Sequence, residues 1–166
     1  HTSISFAVGY AAAKSGTAIC IEQAGLAGDK ASIMEVGVPR SEHKRKDWKS
    51  VVNKINPSGH ELAVCVSASR SIASDVTAYL QSSNPEVGTL LEFEPVSGAS
   101  QRSIIDGNHA GEVAELISTV LAENRGQSAR GKPVHVFISG PNVLSLATGL
   151  QAPIFGQCVL CLLYTS

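Results

Sequence analysis

Two hydrophobic rhythms alternate along the chain: short unbroken apolar runs, and stretches in which apolar residues return every three or four positions. Glu61-Leu-Ala-Val-Cys-Val66 is a continuous run, the pattern of a strand covered on both faces. A polar turn, Ser67 to Ser71, follows it. Ile72, Val76, Tyr79 and Leu80 then fall at i, i+4, i+7 and i+8, a helical stripe. Asn84-Pro85 ends that helix, because a residue before proline is pushed out of the helical region. Thr89 to Phe93 reads as the next strand and Pro95 to Ser100 as a glycine-containing turn. Ala110, Val113, Ala114, Ile117, Val120 and Leu121 make one face of a longer helix. The polar stretch from Arg125-Gly126 to Lys132 reads as a loop. Pro133 to Ile138 is a third strand, and Ser139-Gly140-Pro141-Asn142 turns into a helix with proline near its first turn. A last strand begins near Gln157. Alternating strands and helices imply an α/β fold, a parallel sheet with right-handed crossovers flanked by helices.

The chain also resembles itself at long range. Ser5-Phe-Ala7-Val-Gly9 matches Ser145-Leu-Ala147-Thr-Gly149, Ala12 matches Ala152 and Gly16 matches Gly156, all at an offset of 140 residues. Each copy runs into an apolar strand, Thr17 to Ile21 in the first and Gln157 to Leu162 in the second. The shared unit is a helix, a glycine turn and a buried strand. Residues 24–59 are unlike the rest, with several glycines, Pro39 and a charged cluster from Glu42 to Lys49. They read as an irregular linker with one short strand (Ile33 to Val38) and one short helix (Trp48 to Ile55).

Composition narrows the partners. The 166 residues are 43% hydrophobic and 16% charged, which fits a folded domain rather than a disordered one. Thirteen basic and fourteen acidic residues leave a net charge of −1, which argues against duplex nucleic acid as a partner but not against a small anion held by amides and one or two basic side chains. No apolar run approaches the roughly 20 residues of a membrane span, and no secretory signal is visible, so the expected location is cytoplasmic. Cys20, Cys65 and Cys158 lie in strand-like runs with Cys161 close behind. Buried free thiols are favoured over a metal site, since Cys158 and Cys161 lack a second pair.

Open parallel sheets take ligands beyond the carboxyl ends of their strands. The turns expected there are Ser67–Ser71, Pro95–Ser103 and Ser139–Asn142, all rich in Ser and Gly. Such turns offer unpaired backbone N–H groups at helix starts, and Arg70 and Arg102 offer guanidinium groups to a phosphate. Plain helix capping explains each turn taken singly. The usual dinucleotide and triphosphate fingerprints are absent, as is a nucleophile elbow. Glu112 and Glu115 are expected on a solvated helix face and His109 as a cap or surface residue. His60 and His135 are expected to be structural, and His43-Lys-Arg-Lys46 a solvated run. No catalytic residue and no metal ligand emerges.

Four segments together resemble a known family. LAVCVSASRSIASDVTAYL (62–80) is similar to the strand, serine turn and "DV…Y" helix of SAVED domains. FEPVSGASQRSI (93–104) is similar to their Pro-x-Gly-Gly-x-Ser segment, and VHVFISGPNVLSLATGL (134–150) to their closing strand and helix. SISFAVGYAAAKSGTAICIEQ (3–23) looks like the matching end of a preceding half. SAVED domains are fusions of two units related to the CRISPR-associated Rossmann fold (CARF). The resemblance therefore implies a parallel Rossmann-like sheet forming the second of two tandem CARF-like units, plus the end of the first. Residues 1–23 would close the first half, 24–59 would link the two, and 60–166 would be the second half.

The resemblance also implies a role. SAVED domains are sensors in the cyclic-oligonucleotide anti-phage systems known as CBASS, binding a cyclic di- or trinucleotide, self-associating and activating a fused effector such as a nuclease, a protease, or an NAD-cleaving or membrane module. That effector would lie N-terminal to residue 1. The domain itself would catalyse nothing and use no cofactor beyond its cyclic oligonucleotide ligand. By position, Ser67, Ser69 and Arg70 would lie at the first turn of the ligand site, Gly98, Ser100 and Gln101 at the second, and Ser139, Gly140, Pro141 and Asn142 at the third. Two departures stand out: Ala99 replaces the family's second glycine, and the tail Cys161-Leu-Leu-Tyr-Thr-Ser166 replaces a Tyr-Glu-like ending and is assigned no function. The alternatives are a Rossmann-like hydrolase or ring nuclease acting on a nucleotide, and a non-catalytic interaction domain.

Overall fold

Apolar runs with no polar alternation can settle only where both faces of a strand are covered, so they form the centre of the sheet. In the computed structural model, residues 2–15, 19–23, 32–36 and 47–162 are described. The elements run α1 (Thr2–Ala13), β1 (Ile19–Gln23), β2 (Ser32–Val36), β3 (Trp48–Lys54), β4 (Glu61–Ser67), α2 (Ala73–Ser83), β5 (Val87–Pro95), α3 (Gly107–Asn124), a 3₁₀ turn (Gln127–Ala129), β6 (Val134–Ser139), α4 (Asn142–Phe155) and β7 (Cys158–Cys161). Five strands form the main sheet in the order β3-β5-β4-β6-β7, and β1 pairs with β2 in a separate antiparallel ribbon. Strands β4, β5, β6 and β7 are parallel. The sheet is the α/β architecture expected, with one antiparallel strand, β3, at its edge.

Strand β4 shows how the layers are sorted. Val64 and Val66 face a core shared with Leu91, Phe93, Val134 and Val136 under α3 and α4. Ala63 and Cys65 face a second core with Leu90, Phe137 and the Val76–Leu80 side of α2. Successive residues point to opposite faces, so the apolar run Leu62–Val66 feeds both layers. Tyr79 stays 39% exposed and meets Phe137 edge-on, with ring centroids 5.9 Å apart.

Two expectations are corrected. Trp48 to Ile55 is not a helix; Trp48–Lys54 is the edge strand β3. Valines at 51 and 52 favour strand geometry, and pairing with β5 decides the matter. Lys49 bridges Glu94 at 3.1 Å, Asn53 donates to Glu92 at 2.7 Å and Lys54 donates to Thr89 at 3.0 Å. Trp48 is buried at the start of the strand. Glu112 is not on a solvated face but 3% exposed, because α3 packs against α4, the sheet and β2 rather than along one side only. The rest of the stretch read as irregular lies mostly outside the described residues, including the His43–Lys46 run.

Both copies of the repeat fold as a helix followed by a strand, α1 into β1 and α4 into β7. Their helices pack on each other through the matched glycines. A Cβ on Gly9 would overlap the carbonyl oxygen of Leu146, and a Cβ on Gly149 would overlap that of Phe6. The 140-residue offset maps Gly9 onto Gly149 and Phe6 onto Leu146, so the contact is reciprocal: exchanging the copies returns the same pair of overlaps. Only glycine lets the two backbones approach this closely.

Gly9→Ala and Gly149→Ala should therefore each destabilise the chain by about 2–3 kcal/mol in urea denaturation, through overpacking against backbone. Gly126→Ala, where an added Cβ meets nothing within 4 Å, should leave the midpoint unchanged.

Candidate functional site

After β4 the chain crosses to β5 on one side, and after β5 it returns to β6 on the other. This reversal leaves a crevice beyond the carboxyl ends of β4 and β6, the usual ligand position in open α/β sheets. The three Ser/Gly turns meet there. The amides of Ala68 and Ser69 both donate to the Ser139 carbonyl at 2.8 Å, and the Ser100 amide donates to the Ala68 carbonyl at 2.8 Å. The first turn is thus tied to the third and the second to the first.

A cleft of about 430 Å³ opens over these turns. Of the expected residues, Ser69, Arg70, Gln101, Ser139 and Gly140 line it. The other five stand behind or beside it. The buried Ser67 hydroxyl accepts the Ile72 amide at 3.1 Å and so starts α2. Gly98 adopts φ +88° in the turn closed by its amide on the Pro95 carbonyl at 2.9 Å. Ser100 stitches its own loop, its hydroxyl 3.1 Å from that of Ser103. The Pro141 carbonyl accepts the amides of Leu144 and Ser145, and Asn142 is an exposed first residue of α4. Arg102 is exposed and does not line the cleft.

The cleft is cationic at one point and apolar along one wall. Arg70 is exposed, and among the described residues its guanidinium has no partner; the amides of Arg70, Ser71 and Gly140 likewise meet no acceptor. Ile72, Phe137 and Ile138 form the apolar wall, and Thr2 enters from the first turn of α1. Sequence reasoning missed these four residues. The repeat carried the one available signal for Thr2, since the offset places it opposite Asn142. Cys161 and Leu162 complete the rim.

Other titratable groups serve the scaffold. His135 Nε2 lies 2.7 Å from Glu61 Oε2 across the starts of β6 and β4. His109, expected as a cap or surface residue, is 1% exposed, while its backbone amide is capped by Asp106 at 2.8 Å. Burial pushes the Cys65 thiol up to about 12, opposed in part by the Ser67 hydroxyl. Burial also raises Cys158 to about 11, against the pull of Arg125, and raises Cys161. These thiols are protonated at neutral pH and are poor nucleophiles. No helix among the described residues is long and apolar enough to cross a membrane.

Residues 28–162 match the family model of SAVED, the SMODS-associated and fused to various effectors sensor domain. The chain belongs to the SAVED family. It is 29% identical over 162 residues to CD-NTase-associated protein 4 of Enterobacter hormaechei subsp. hoffmannii (strain UCI 50), covering 96% of this chain and 30% of that protein. Its fold is that of the Acinetobacter baumannii Cap4 SAVED/CARF-domain receptor, solved with the cyclic trinucleotide 3′3′3′-cAAA. That similarity has a TM-score of 0.69 at 18% identity, over 96% of this chain and 33% of the receptor. This SAVED chain thus spans about a third of the length of these two relatives.

The buried thiol of this SAVED domain gives a pH test. The folded Cys65 thiol ionises near pH 12 and an unperturbed thiol near 9.0. A raised acid pKa means its stabilising contribution is intact below pH 9 and is lost as pH rises from 9 toward 12. Urea midpoints should fall over that window in the unmodified protein, and Cys65→Ala should fall less steeply.

Proposed function

We propose that this SAVED domain is a sensor that holds a cyclic di- or trinucleotide in the cleft at the ends of β4 and β6. One observation carries the reading: three turns from separate parts of the chain are hydrogen-bonded into a single cradle whose surface carries a guanidinium and amides that meet no partner among the described residues. Amides at helix starts and a guanidinium are the groups that bind phosphate without a metal. The volume lies within the roughly 300–1,000 Å³ of small-ligand sites. The apolar wall of Ile72, Phe137 and Ile138 keeps water from one side of the ligand and strengthens the charged contacts opposite. The related receptor solved with 3′3′3′-cAAA supports a ligand of this class.

In this reading the domain carries no chemistry of its own. Ligand binding favours an associated state by its differential affinity for that state, and self-association activates an effector fused on the N-terminal side, inside the cell. The halves divide as residues 1–23, a linker to 59, and 60–166. The reciprocal glycine contact supports placing α1 at the end of the first half.

Isothermal titration with a panel of cyclic di- and trinucleotides that includes 3′3′3′-cAAA should find a saturable binder, recovered intact by chromatography. Arg70→Ala should weaken binding about tenfold, the loss of one charge-assisted contact, with an unchanged melting temperature. No binding across the panel overturns the reading, and cleavage of the ligand would favour the ring-nuclease alternative.

A further inference from the structure

The loop between β5 and α3 carries Gln101 into the cleft, yet much of it stands in solvent: Gln101 and Arg102 are exposed, and Ile105 is 60% exposed. Its front is fixed by the Ser100 amide on Ala68, and Ile104 plugs into the core at 7% exposure. The remaining anchor comes from behind. The Ile105 amide donates to Nδ1 of His109 at 3.2 Å, from an imidazole that is 1% exposed. Accepting at Nδ1 places the ring proton on Nε2. That Nε2 is buried with no hydrogen-bond partner among the described residues; Asp47 Oδ2 lies 3.5 Å away, close enough for attraction. The Asp47 carbonyl in turn accepts the Val96 amide at 2.7 Å, at the start of the same loop. The imidazole therefore holds the far end of the loop directly and lies beside Asp47, whose backbone holds the near end, and it does so with a buried polar atom short of a partner. A side chain present only to fill space would not need the Nδ1 acceptor.

We propose that His109 is a positioning residue for the ligand site: it holds the β5–α3 loop so that Gln101 faces the cleft and the Ser100 amide stays on Ala68. The proposal rests on the sensor reading for its functional part. The loop is pre-ordered by an acceptor that never touches the ligand, so binding does not have to order it.

The full chain and two variants test this. His109→Ala removes the acceptor, and His109→Asn keeps an amide oxygen close to where Nδ1 lies. Hydrogen exchange of the amides from Ser100 to Ile105 should speed up about tenfold or more in His109→Ala and return toward the unmodified rate in His109→Asn, with β4 and β6 unchanged. Affinity for 3′3′3′-cAAA should fall about tenfold in His109→Ala and stay within about twofold in His109→Asn. Equal loop exchange in all three proteins, or no rescue by asparagine, overturns the positioning role. If the unmodified protein fails to bind the trinucleotide, the sensor reading falls instead, and the exchange rates still decide what His109 does to the loop.

Discussion

One carbonyl organises the cleft end of this SAVED domain. Ser139, the last residue of β6, accepts the amides of both Ala68 and Ser69, which continue β4. The two central parallel strands therefore do not splay where their ladder ends. The turn after β4 is bent over the end of β6, so Ser69, Arg70 and Gly140 share one surface. The next bond, Ser100 amide to Ala68 carbonyl, draws in the loop after β5. Each of these bonds uses backbone atoms and leaves side chains free for a ligand. A backbone carbonyl taking two amides satisfies groups that would otherwise be left bare where strands give way to helices.

A second constraint works at the opposite scale. α1 comes closest to α4 at two glycines, Gly9 and Gly149, and their overlaps with Leu146 and Phe6 are mutual. The two helices pack closely, and the start of α1 brings Thr2 to the cleft. A cleft built mainly from the turns after β4, β5 and β6 thus receives Thr2 from the helix of the first repeat copy. His109 plays the complementary part on the other side of the cleft, holding a loop whose tip is in solvent to a helix whose core face is buried.

Much of this was legible in the residues. The 61–66 run, the Val76–Leu80 stripe and the Ala110–Leu121 stripe each dictate one element, because burial on two faces and burial on one face leave different periodicities. The position of the cleft follows from strand order once the alternation is recognised. What was not legible depended on partners distant in sequence. Trp48–Lys54 has no strong rhythm, and its strand geometry is decided by β5 lying across from it along its whole length. Glu112 looks solvated beside Glu115 until β2 is laid against α3. Of ten candidate ligand residues, the sequence could not tell the five that face the cleft from those, such as Ser67, that start a helix behind it, since both tasks call for the same small polar groups.

The most direct test of the central claim is to watch the backbone amides while a cyclic trinucleotide is added. In an isotope-labelled sample titrated with 3′3′3′-cAAA, the account predicts that the largest nitrogen–proton shift changes gather at Ser69, Arg70, Ser71, Gln101 and Gly140. The amides of His60 and Glu86, at the opposite end of the sheet, should stay still. Changes centred on that opposite end, or spread evenly along α1 and α4 with the three turns silent, would contradict it.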